Sequence, residues 1–193
     1  MIAGVVLAAG LARRMGRQKL LLQLQGKPVV RWAVERLSAH VEDVVVVTGA
    51  DDAPIREALA DLAVAVRFVV NPRPQDGQGS SIAVGVTGLK PWTRAAMIAL
   101  GDQPRTPDAV PRALIEAFER SGKAIVTPVY RGVQGTPVLF SADVFSELRA
   151  LTGDAGARAV VKARGERVEA VAFDFAMPPD VDTPEDYAKL HVQ

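Results

Sequence analysis

The chain has 193 residues, of which 49% are apolar and 23% charged, with Lys+Arg 23 set against Asp+Glu 22. A chain of that length suits one domain whose core removes roughly 70% of the unfolded surface from water. Near-neutral charge with no basic stripe argues against a nucleic-acid partner. The absence of Cys excludes disulfides, thiolate metal sites and cysteine nucleophiles. Only two His are present, His40 and His191, and they read as surface or helix-end residues, so zinc sites and Ser-His-Asp triads lack material. Any chemistry must therefore rest on carboxylates, Lys, Arg, backbone amides and a hard cation.

In chain order, Ile2–Ala8 is a continuous apolar run, as expected of a strand buried on both faces. The apolar stretch to Ala12 is too short to span a bilayer, runs into Arg13 and Arg14, and has no basic residues before it. A cytoplasmic protein with no membrane partner is expected. Pro28 opens a helix with Val30, Ala33, Val34 and Leu37 on one face. Asp43–Thr48 reads as a strand, Pro54–Leu62 as a short helix and Ala65–Val70 as a strand. Residues 73–80 form a loop feeding a helix over Ser81–Leu89. Ala95–Leu100 is another buried strand, followed by a helix over Asp108–Ser121. Ala124–Tyr130 and Thr136–Phe140 read as strands around a Gly-containing turn, and helices are expected near Ala142–Ala150 and Ala155–Ala163. Val168–Phe173 is a last strand, and Thr183-Pro184-Glu185-Asp186 a capped helix start. Such alternation predicts a single α/β domain with a mainly parallel sheet flanked by helices. Its first half, about 1–105, is expected to face a nucleotide, and its second half, about 106–193, an acceptor.

In such sheets ligands sit beyond the carboxyl ends of the strands, which selects the loops after Ala8, Val70, Leu100 and Phe173. The first loop, from Leu7 through Gly10 to Gly16 and Lys19, combines small residues with Arg13, Arg14, Arg17 and Lys19. Small side chains let backbone N–H groups approach an anion that Arg and Lys then neutralise. It is not a Walker loop, because five residues separate Gly10 from Gly16 and Arg17 follows. Nor is it a dinucleotide fingerprint, since the second strand closes with Thr48-Gly49 rather than an acidic residue. Asp102 in Gly101-Asp102-Gln103-Pro104 is placed to hold Mg²⁺ on a substrate phosphate, and Asp180-Val181-Asp182 offers further carboxylates. Taken singly, these three segments also read as a surface turn with solvated cations, a plain Gly-Asp turn and a helix cap. Together, on one edge of a sheet, they suggest a metal-assisted phosphate site.

With Leu7-Ala8-Ala9-Gly10, Arg14-Met15-Gly16 and Lys19, the chain resembles nucleotidyltransferases of the glycosyltransferase-A-like, Rossmann-like α/β fold. Within them it is most similar to the molybdenum cofactor cytidylyltransferases, through residues 71–82, 100–104, 132–140, 151–161 and 180–187. The resemblance implies a mainly parallel mixed sheet and a set of roles. Leu7, Ala8, Ala9 and Gly10 would meet the nucleotide, Arg14 its phosphates, and Lys19 the charge developing on the α-phosphate and the departing pyrophosphate. Gly79, Ser80 and Ser81 would help hold base and sugar, Asn71 would also bind the nucleotide, and Asp102 with Asp182 would hold Mg²⁺. Gly135, Thr136 and Pro137, and Asp154, Gly156, Ala157 and Arg158, would face the acceptor. Two positions depart from the family pattern: Ala12 stands in place of Ser, and Gly135-Thr136-Pro137 in place of Gly-His-Pro.

The activity implied is transfer of CMP from CTP to the terminal phosphate of molybdenum-loaded molybdopterin, with transient delivery of the product to a molybdenum hydroxylase. Alternatives are a GTP-using enzyme on the same acceptor, transfer to a sugar or polyol phosphate, and a non-catalytic cofactor-delivery protein. Keeping Arg14, Lys19, Asp102 and Asp182 together argues against pure delivery. A nicotinamide-binding oxidoreductase is disfavoured by the missing fingerprint.

Overall fold

The computed structural model describes residues 1–10, 18–154, 156–163 and 165–190. From the N-terminus it runs β1 (Ile2–Ala8), a two-residue hairpin of β2 (Gln23–Leu24) and β3 (Lys27–Pro28), then α1 (Val29–Ser38) and β4 (Asp43–Thr48). Next come α2 (Ala53–Ala58), β5 (Val66–Val70), α3 (Gln78–Thr87), β6 (Ala95–Leu100) and α4 (Ala109–Ser121). The rest comprises β7 (Ile125–Tyr130), β8 (Val133–Gln134), β9 (Val138–Ser141), α5 (Phe145–Arg149), α6 (Arg158–Ala163), β10 (Val168–Phe173) and α7 (Pro184–Lys189). Strands line up as β10-β7-β9-β6-β1-β4-β5, with β8 beside β7. The β1–β4, β1–β6, β4–β5 and β10–β7 pairs are parallel, whereas β9 runs antiparallel to both β6 and β7.

Side chains alternate across each strand, so the apolar runs feed two cores. Val6, Val46, Met97 and Leu139 join α1, α2 and α4 on one face. Val5, Val47, Ala96 and Phe140 join α3, α5 and α6 on the other. The result is a three-layer α/β domain, the mainly parallel mixed sheet that the sequence predicts. In register, Leu7 stands beside Val47 and Leu100, so β1, β4 and β6 end level and release their loops on one edge. Among the described residues no helix is long and apolar enough to cross a membrane.

Departures from the expected elements are local and have local causes. The helix expected over Pro54–Leu62 ends at Ala58, and the chain continues in tighter turns in which Leu59 N donates to Arg56 O and Leu62 N to Leu59 O. The helix expected from Ser81 starts earlier, at Gln78, because Gly77 at φ +91° turns the chain into it. The segment expected to be one helix over Ala142–Ala150 opens as a 3₁₀ turn, Ala142–Val144, capped by Ser141 Oγ, before α5. The next helix begins at Arg158 rather than Ala155, and Ala155 lies outside the described residues. The strand expected from Thr136 begins at Val138, after a cis Thr136–Pro137 bond, because Pro137 has no N–H for the ladder. The β2–β3 hairpin was not expected. Gln25 and Gly26, both at positive φ, form its turn, and Trp32 Nε1–H fixes it from α1 by donating to Leu24 O at 2.8 Å.

Candidate active site

Two backbone hydrogen bonds assemble the site edge. Gly101 N donates to Leu7 O at 3.0 Å, joining the loops after β6 and β1. Only Gly fits there, since a Cβ would sit 2.9 Å from that carbonyl oxygen. Val181 N donates to Asp102 O at 3.0 Å, bringing the strap after β10 onto the same edge. Residues 80 positions apart in sequence thus face one cleft of about 450 Å³.

At its charged end, Lys19 Nζ donates to Asp102 Oδ2 at 2.5 Å and to Asp182 Oδ1 at 2.7 Å. Lys19 is seated by Leu20, which is buried in the core beside it. Burial opposes the lysine's charge, but the two carboxylates outweigh it and hold the ammonium above the ordinary lysine range. Two hard carboxylates already converging on one cation are the donor set that Mg²⁺ or Mn²⁺ takes, so Asp102 and Asp182 fit such an ion. Arg14 lies outside the described residues.

The opposite wall is the start of α3. Ala9, Gly10 and Leu7 face the cleft from one side, and Pro74, Gln75, Gly77, Gln78 and Ser81 from the other. Ala8 is buried behind them at the end of β1. Asn71, also buried, does not face the cleft but builds its wall: Nδ2 donates to Ser80 Oγ at 2.9 Å and Ser81 Oγ at 3.0 Å, and Oδ1 accepts from Arg73 N at 3.0 Å. Ser80 Oγ in turn donates to Gly77 O at 2.8 Å. Gly79 N donates to Gly153 O at 2.8 Å, and a Cβ on Gly79 would stand 2.9 Å from the Thr152 and Gly153 carbonyl oxygens. Of Gly79, Ser80 and Ser81, expected to hold base and sugar, only Ser81 lines the cleft.

The residues expected to face the acceptor separate into two places. Asp154 lies in the same cleft, beside Gly77 and Gln78. Gly156 backs onto Gln78 at φ +55°, Ala157 packs on the core of that face, and Arg158 is exposed at the start of α6. Gly135, Thr136 and Pro137 lie elsewhere: Gly135 against the Tyr130 ring, Thr136 bonded to Gln103, and Pro137 beside Leu100 and Gln103. Sequence reading missed Pro74, Gln75, Gly77 and Gln78 as cleft residues, although the Gly- and Gln-rich run before α3 marks that loop. It named Asp180 among the further carboxylates but missed Gln103, whose 2.6 Å bond to Asp180 joins segments 77 positions apart.

Comparisons with known proteins place the fold in a family. The model of the MobA-like NTP transferase domain matches residues 4–168. The purine catabolism protein PucB of Bacillus subtilis is 31% identical over 96% of this chain and 94% of its own. Nicotine blue oxidoreductase of Paenarthrobacter nicotinovorans is 31% identical over 98% of this chain and 96% of its own. A probable molybdenum cofactor guanylyltransferase of Thermococcus gammatolerans is 28% identical over 65% of this chain and 61% of its own. Among solved structures, Rv0371c of Mycobacterium tuberculosis in complex with manganese superposes with TM-score 0.82 at 29% identity, covering 100% of this chain and 98% of that one. With the sheet order, the cleft beyond its carboxyl edge and a match over most of the length in hand, the chain belongs to the MobA-like NTP transferase family.

Proposed function

We propose that this protein is a cytoplasmic Mg²⁺-dependent nucleotidyltransferase that moves CMP from CTP to the terminal phosphate of molybdenum-loaded molybdopterin. The observation that carries the reading is the Lys19–Asp102–Asp182 centre at one end of a cleft large enough for a nucleotide. An acceptor phosphate oxygen forms a new bond to the α-phosphorus of CTP. The bond from that phosphorus to the bridging oxygen breaks, and pyrophosphate leaves with the electron pair. The nucleophile is already an anion near neutral pH, so no strong base is needed, in keeping with a chain without Cys and with two His. Asp102 and Asp182 would hold Mg²⁺, which would supply positive charge against the crowded phosphates. Lys19 adds a fixed cation for charge building on the leaving group, and Arg14 takes the phosphates. Leu7 to Gly10 and the Asn71–Ser81 wall flank base and sugar, while Gly135 to Pro137 and Asp154 to Arg158 belong to the acceptor half. Ala9 lines the cleft, and on this reading a methyl group at that position leaves less room for a purine than for a pyrimidine.

The likeness to a guanylyltransferase favours one second reading, GTP on the same acceptor. The test incubates the protein with each nucleoside triphosphate, Mg²⁺ and molybdopterin, and follows pyrophosphate. CTP is expected to exceed GTP in kcat/KM by roughly ten- to two-hundredfold, the range a methylene-scale steric difference permits. A GTP preference would replace the base assignment, and pyrophosphate release only with a sugar phosphate would replace the acceptor.

A further inference from the structure

Two carboxylates, Asp102 and Asp182, take hydrogen bonds from the Lys19 ammonium. Asp180 belongs to the same strap as Asp182. Between them, Val181 N donates to Asp102 O at 3.0 Å, which lays the strap against the Asp102 loop. Yet among the described residues no group of three Asp, Glu, His or Cys side chains is arranged to hold a metal ion.

Asp180 is instead engaged by Gln103. The Gln103 Nε2 donates to Asp180 Oδ1 at 2.6 Å, and its Oε1 accepts from Thr136 Oγ1 at 2.6 Å. The Thr136 carbonyl in turn accepts from the Tyr130 hydroxyl at 2.7 Å. Gln103 and Tyr130 are 4% and 1% exposed, so neither has water to replace a lost partner. A buried carboxamide keeps the orientation that satisfies both ends, and a hydroxyl donating to Oε1 turns the NH₂ toward Asp180.

We propose that Gln103 is a positioning residue: oriented by Thr136, it holds Asp180 back from the Asp102–Asp182 pair and so keeps the cation site a two-carboxylate site. The inference rests on the Mg²⁺ centre proposed above. Mg²⁺ works with one or two protein carboxylates and fills its remaining positions with water and substrate phosphate oxygens. A third carboxylate would bind the ion more tightly and take a position that the nucleotide needs. Thr136 lies in the Gly135–Pro137 segment, so the same bond ties the acceptor half to the cation site.

The test measures Mn²⁺ affinity by electron paramagnetic resonance on the full chain without nucleotide. Gln103→Met removes the donor to Asp180, and Thr136→Val removes the second hydrogen bond that fixes the amide, so that its hold on Asp180 loosens. Both are expected to tighten Mn²⁺ binding by about three- to tenfold, the worth of one hydrogen bond. The double variant should add nothing further, Thr136→Ser should match wild type, and adding Asp180→Asn to Gln103→Met should abolish the gain. Under turnover, Gln103→Met should raise KM for CTP. Unchanged or weaker Mn²⁺ binding in both single variants, with wild type binding normally, overturns the role of Gln103 alone. Failure of wild type to bind Mn²⁺ overturns the cation centre as well.

Discussion

Asp102 and Lys19 touch each other, yet substitution should separate them. Asp102→Ala is expected to lower kcat by at least about a hundredfold with little change in melting temperature, since a metal-directed carboxylate acts mainly on the transition state. Steady-state kinetics and thermal melts on one preparation check both halves of that statement. Lys19→Met should also depress kcat, yet it should tighten Mn²⁺ binding in the absence of nucleotide, because an ion entering alone must otherwise displace an ammonium bonded at 2.5 and 2.7 Å. Equal Mn²⁺ affinity in the two proteins counts against that competition. Ala9→Gly should narrow the preference for CTP over GTP, read as the ratio of kcat/KM values. Lys19, Asp102 and Asp182 could be read from sequence because each sits in a loop after a strand, on the edge where α/β proteins bind ligands. The pairing of Gln103 with Asp180 could not. Its significance comes from a contact between loops, and no spacing or periodicity reports such a contact. Thr136 is a related case: motif position suggested the acceptor, whereas its hydroxyl is bonded to Gln103.

Elements were legible where burial is two-sided. β1, β4 and β6 fall on the predicted residues because an unbroken apolar run of that length has few other stable uses. Short helices were less legible, since five or six residues are fixed by turns and packing more than by pattern. The start of α3 depends on Gly77 and on a close approach of Gly79 to the 152–153 backbone, which sequence does not display. The middle of α3 makes a firmer claim. A Cβ on Gly85 would lie 2.6 Å from Val5 Cγ1 and 2.8 Å from Val47 Cγ2, in the fully buried sheet. Gly85→Val should therefore destabilise the protein by about 3 kcal/mol, the upper part of the overpacking range, measured by urea unfolding. At the other end of the sheet, Asp43 on β4 bonds Arg67 on β5, with Lys90 at 3.0 Å. The Arg67 hydrogen bonds, helped by Lys90 and opposed by burial, hold the Asp43 carboxyl below its ordinary value of 3.8. That contribution is complete above 3.8 and fades as pH falls through the depressed folded-state value. Asp43→Asn should cost about 1–2 kcal/mol at neutral pH, with the gap to wild type closing in unfolding curves taken below that range.

At the level of the whole molecule, fold class followed from alternation alone, but alternation could not give the place of β9. Sequence order puts β9 after β7, whereas in space it lies between β6 and β7 and runs against both. Its short apolar run is also compatible with an outer hairpin, and only the pairing of Met97 with Leu139 and of Val126 with Leu139 distinguishes the two. The cleft draws Lys19 and Asp102 from the first half of the chain and Asp154 and Asp182 from the second. β9 joins those halves within one sheet, and its neighbours Leu139 and Phe140, both fully buried, belong to opposite cores. Among the described residues, the two halves thus share one continuous sheet. Substrates are expected to be aligned by movements of loops over a stationary floor, not by two lobes closing like jaws. The radius of gyration from small-angle X-ray scattering should accordingly stay constant when nucleotide binds, while hydrogen exchange slows in the loops at the carboxyl edge of the sheet. A measurable contraction would mean that β9 yields, and that the sheet itself is the moving part.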